Sequence, residues 1–76
     1  MIEFWTVENT GWSGGVSWFH TGGTIYDPMR FSTQESAIAY AAQQKIGIHN
    51  ILWRVVHTTI ERSDNKEVTT RTWNNI

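Results

Sequence analysis

Cysteine is absent from this 76-residue chain. That removes disulfides, thiolate nucleophiles and cysteine-based zinc sites together, and it suits a reducing compartment. Charge is scarce: six Lys and Arg stand against seven Asp and Glu, a formal net charge of −1. Nothing in that balance draws the chain toward nucleic-acid phosphates or anionic membranes. No apolar run approaches the roughly 18 residues of a membrane span. The start, Met1-Ile2-Glu3-Phe4-Trp5, lacks the basic end and long apolar core of a signal peptide. These absences predict one complete cytoplasmic domain, 1–76, near the lower size limit for folding without staples.

What the chain has in excess is tryptophan: five, at positions 5, 12, 18, 53 and 73. A core this small hides two or three of them, and Trp is enriched at binding hot spots. The remainder is therefore expected on a surface that meets something.

Ile2 to Val7 is apolar, aromatic and β-branched, a strand pattern that Glu8-Asn9-Thr10-Gly11 is expected to break. Ser13-Gly14-Gly15 extends a loop around Trp12, and Val16 to His20 resumes strand character up to the turn Thr21-Gly22-Gly23. Thr24-Ile25-Tyr26 reads as a short strand that stops at Asp27-Pro28, because the single proline lacks a donor and biases Asp27 away from helix. Ser32-Thr33-Gln34-Glu35 has the capping-box form, with Ser32 as the N-cap and Glu35 reaching back. A helix over 33–46 follows, with Gly47 as its C-terminal cap. Its buried stripe is expected along Ile38, Ala41, Ala42 and Lys45, with Ala37 and Tyr40 at the edge. Ile51 to Arg62 and Glu67 to Trp73 flank the turn-forming Ser63-Asp64-Asn65-Lys66, which reads as a hairpin whose threonines face water. The order is β-β-(β)-α-β-β: an α+β fold with a single antiparallel sheet of four to five strands and one helix on one face.

Period-2 alternation puts Ile51, Trp53 and Val55 on one side of the long strand and Leu52, Val56 and Ile60 on the other. In the first strand Ile2 and Phe4 oppose Trp5 and Val7. Both faces are apolar, yet one short helix covers only one. Partner binding or a homodimer through the open face is the expectation, and the bland alternative is that the Gly-rich loop with Trp12 folds over part of it.

Few constellations suggest chemistry. His20, His49 and His57 fit no compact metal spacing, and the acidic residues are scattered, with Glu35 explained by capping and Asp64 by the turn. Neither Gly-rich stretch precedes a helix with the Gly-Lys-Ser/Thr of a phosphate loop, so both read as turns. No enzyme activity, cofactor or metal is expected. Trp53, Arg54, Arg62, Arg71 and Trp73 share the terminal hairpin and could stack on single-stranded bases, diluted by Glu61 and Glu67.

The segment Phe31-Ser32-Thr33-Gln34-Glu35-Ser36-Ala37, with Gly11-Trp12-Ser13 upstream, is partly similar to a small accessory subunit family of respiratory NADH dehydrogenase. The similarity spans about 30 residues, and Gly47-Ile48-His49-Asn50 departs from it, so no respiratory role is carried across. In overall style (short, cysteine-free, aromatic-rich, beginning directly in a strand) the chain resembles small accessory proteins of tailed bacteriophages. That resemblance implies a protein that binds and occludes a host protein in the host cytoplasm. The expected contact residues are Trp5, Trp12 and Trp18, supported by Tyr26 and Arg30. Trp53 and Trp73 are expected to be structural, or base-stacking if the terminal hairpin binds nucleic acid.

Overall fold

The computed structural model describes residues 1–11, 17–23, 27–46 and 51–76. Among these, strands β1 (Ile2–Asn9), β2 (Phe19–His20), β3 (Trp53–Ser63) and β4 (Lys66–Asn75) form one antiparallel sheet of order β2-β1-β3-β4. Helix α1 (Gln34–Gln44) packs on one face, against β1 and β3. The expected third strand at 24–26 and the expected cap Gly47 lie outside the described residues.

β1 runs two residues further than its sequence pattern suggested. Glu8 pairs with Arg54 and His20, and Asn9 with Trp53 and Phe19. Both polar residues stay in the strand because their side chains find partners there. Asn9 Oδ1 accepts from Gly11 N at 2.7 Å, while its Nδ2 donates to Thr21 Oγ1 at 2.6 Å. The break comes only at Thr10-Gly11, where Gly11 takes φ +54°.

The helix cap is Thr33, one residue later than the capping-box reading. Its Oγ1 accepts from Ser36 N at 3.1 Å, and its backbone is extended at φ −135°. The cause lies upstream. Phe31 exchanges two backbone hydrogen bonds with Trp5, at 2.9 and 2.8 Å, so Ser32 is used up as the link from sheet to helix. Glu35 remains in the first turn, where a negative charge suits the helix dipole. The helix ends at Gln44, with Lys45 N–H donating to Ala41 O.

The buried stripe also differs from expectation. Ala37 and Ala41 are fully buried, whereas Ile38 and Ala42 are exposed. Two alanines at i and i+4 let the helix backbone approach the sheet, where the bulk is supplied by Trp53, Val55 and Val7. Trp5, Phe31, Tyr40 and Ile51 pack around this core. Trp53 is 5% exposed and so belongs to the core.

The hairpin closes through Asp64 (φ 48°) and Asn65 (φ 67°). Two consecutive positive φ values define a type I′ turn, whose twist matches that of the flanking strands. β4 then forms one edge of the sheet, and all ten of its residues are exposed. On the other side, β1 is covered by β2 at Glu8 and Asn9 and by the Phe31 bridge at Trp5. Gly22 and Gly23, at φ +86° and +68°, turn the chain between those two contacts.

Candidate binding site

The face opposite the helix is formed by alternate residues of three strands. Phe4, Thr6 and Glu8 come from β1, Arg54, Val56 and Thr58 from β3, and Arg71 and Trp73 from β4. This face is not left bare. Trp18 and His20 approach it from one side, and Pro28 and Arg30 from the chain that leads to Phe31. Together they line an open cavity of about 400 Å³.

Glu8 lines it. The residue is 4% exposed, which for a carboxylate demands partners. Arg54, directly across the ladder, donates Nε to Oε1 at 2.8 Å and brings Nη2 within 2.6 Å of the same oxygen. Arg71 reaches diagonally from β4 to donate Nη2 to Oε2 at 2.9 Å. His20 Nδ1 lies 3.6 Å from Oε2. Val56, on this same face, is fully buried.

Arg54 is held by more than charge. Its guanidinium carbon lies 4.1 Å from the Trp18 ring centroid and 4.7 Å from that of Trp73. Stacking on two indoles is a use of Arg that Lys cannot match. At the rim, Arg30 stands over Phe4 at 5.1 Å and pairs with Asp27 at 3.3 Å, where both side chains are at least half exposed.

One polar group lining the cavity is unsatisfied. Thr6 is 2% exposed and its hydroxyl has no hydrogen-bond partner. Glu8, by contrast, has both oxygens engaged by guanidiniums. Among the described residues, no three His, Asp or Glu side chains are grouped to hold a metal ion.

The expected contact residues are therefore divided. Trp18 and Arg30 lie on the open face, at the cavity. Trp5 lies on the helix side, stacked on His57 with centroids 4.4 Å apart and planes 8° from parallel. Trp12 and Tyr26 lie outside the described residues. The terminal-hairpin set is divided too. Arg54, Arg71 and Trp73 join the open face, Trp53 is buried under the helix, and Arg62 pairs with Glu67 at 2.7 Å near the hairpin tip. Of the two tryptophans expected to be structural or base-stacking, Trp53 is buried and Trp73 is a surface residue, 53% exposed.

Sequence reasoning missed Glu8, Thr6 and His20. Glu8 looked like the start of a turn; only its matching parity with Phe4 would have placed it on the open face. Among the described residues, no helix is long and apolar enough to cross a membrane. No family model, curated protein or solved structure matches this chain.

Proposed function

We propose that this chain is a non-enzymatic protein-binding module that docks through the open sheet face and acts by occluding its partner. One observation carries the reading: Arg54 is clasped between Trp18 and Trp73 on the face away from the helix. Trp and Arg are the side chains most enriched at binding hot spots, above all where charged residues are otherwise few. The resemblance in style to phage accessory proteins points to a host protein as partner, in the host cytoplasm. The test is affinity capture from the source cells with the natural chain and with Trp18→Ala and Trp73→Ala. Each substitution should cost about 2 kcal/mol or more of partner affinity. Retained capture by both folded variants refutes this placement. A homodimer through the same face would show as concentration-dependent mass in light scattering, and those two substitutions would abolish it.

A second reading has its own support. Arg54, Arg71 and Trp73, expected together as a nucleic-acid surface, do share one face, and Trp18 and Arg30 join them. Stacking indoles beside guanidiniums suit single-stranded bases. Glu8 in their midst opposes it. Oligothymidylate titrations decide, because phosphate binding weakens steeply as salt rises.

A further inference from the structure

We infer that the open-face cavity is an anion site for one carboxylate carried on a flat apolar group. The inference does not depend on the protein-docking reading, since a free small acid and a carboxylate on a protein offer the same chemistry.

The first argument is charge. Three guanidiniums line the cavity, those of Arg30, Arg54 and Arg71, against one carboxylate, Glu8. With His20 counted as neutral, three minus one leaves two positive charges. Asp27, paired with Arg30 from outside and 84% exposed, reduces that to one. Arg54 lies against Glu8, so this excess rests on Arg30 and Arg71, which stand at the cavity 50% and 44% exposed.

The second argument is the Thr6 hydroxyl, buried and unpartnered at the cavity wall. Such a group destabilises the fold unless something hydrogen-bonds to it. A carboxylate oxygen can accept from a hydroxyl and from a guanidinium at once. The third argument is shape. Phe4, Trp18 and Pro28 supply apolar walls, and about 400 Å³ accommodates a ring-sized ligand.

The experiment is a titration of the natural chain with benzoate, followed by the NMR shifts of the arginine Nε–H and tryptophan indole N–H groups. Benzamide and benzamidine, of like shape but neutral and cationic, serve as controls. Benzoate should give saturable shifts at Arg30, Arg71 and Trp18 in the millimolar range, and the controls should not. Absence of saturation by benzoate, or equal binding of benzamide, overturns the inference. Tighter binding of phenyl phosphate than benzoate overturns the carboxylate assignment. A tetrapeptide ending in Phe, free against amidated, distinguishes the sources. Preference for the free peptide over benzoate assigns the site to a protein terminus, and the reverse assigns it to a small acid.

Thr6→Val separates binding from folding. This near-isostere removes an unpartnered hydroxyl, so thermal stability should hold or rise while benzoate affinity falls at least about fivefold. Arg30→Gln, outside the Glu8 cluster, should lower affinity by a similar factor. Unchanged benzoate affinity in both variants refutes the site.

Discussion

Replacing Glu8 by Gln keeps the shape of the central side chain and removes its charge, which isolates the electrostatics of the open face. Two guanidiniums then lose their counter-ion. Breaking a buried pair by removing one partner costs about 3–5 kcal/mol, because the other charge is left uncompensated. Here that figure applies to Arg54, which is 13% exposed and walled by two indoles. Arg71 is 44% exposed and can turn to water, so its arm is worth no more than a surface pair, roughly 0–1 kcal/mol. The Gln carbonyl still accepts one hydrogen bond, which recovers part of the loss. The net expectation is about 2–4 kcal/mol. A 76-residue chain at roughly 0.05–0.15 kcal/mol per residue has about 4–11 kcal/mol in all. Glu8→Gln should therefore lower Tm by roughly 10–30 °C. Urea unfolding followed by tryptophan fluorescence measures this directly, with an unchanged slope against denaturant marking a pure stability effect. A loss below about 0.5 kcal/mol would refute the reasoning, since the cluster would then behave as an exposed salt bridge. The double variant Glu8→Gln with Arg54→Met should lose less than the sum of the two single changes, because each single change strands its partner.

At the hairpin, Asn65→Gly should stabilise by a few tenths to about 1 kcal/mol, because φ 67° strains any residue with a Cβ; chemical denaturation reads the gain, and a loss would contradict the turn assignment. Gly23→Ala should destabilise by more than about 2 kcal/mol, since an added Cβ would lie 2.8 Å from Met29 N at φ +68°, besides crowding Asp27 O. The same change should disturb the Arg30 signals, because it displaces the segment that carries Arg30 over the sheet. Ala41→Leu should cost about 1–3 kcal/mol by forcing the helix off the Val7, Trp53 and Val55 layer, whereas Ala42→Leu, at an exposed position, should stay within about 0.5 kcal/mol; a thermal melt of each separates the two.

The sheet and helix were legible because their signals are local. A capping sequence, a polar two-residue turn and period-2 alternation each act within a few residues and placed α1, the β3–β4 hairpin and β1, whereas of the described residues in the strand expected over Val16 to His20 only Phe19–His20 is strand. The errors lie where a distant partner decides. The cap moved from Ser32 to Thr33 because Phe31 is pinned by Trp5, 26 positions away in sequence. The buried stripe kept Ala41 but took Ala37, expected only at its edge, in place of Ile38 and Ala42, because Trp53 supplies the bulk beneath the helix. Glu8 was misread for the same reason. Alone in a strand a carboxylate argues for a break, and only Arg54, 46 residues on, makes it a strand residue. Alternation did put Val56 opposite Trp53, but it said nothing of what would cover Val56.

That cover changes what the open face can offer. A bare apolar face would bind by area alone and would aggregate as readily as it recognised a partner. Here Glu8 fixes Arg54, whose guanidinium also lies against Trp18 and Trp73, while the half-exposed Arg71 is tied to Glu8 by one hydrogen bond. The rotamer entropy of a long side chain, about 2 kcal/mol for a free arginine, is thus largely lost before any ligand arrives. A docking surface whose arginines are already ordered avoids a cost of about 0.5–1.5 kcal/mol for each at the moment of binding. The buried carboxylate is then poorly explained as a device for stability alone, since a hydrophobic cluster of the same volume would serve as well. Under the proposed anion site it is the group that holds Arg54 in place, while Arg30 and Arg71, both about half exposed, keep charge for the ligand.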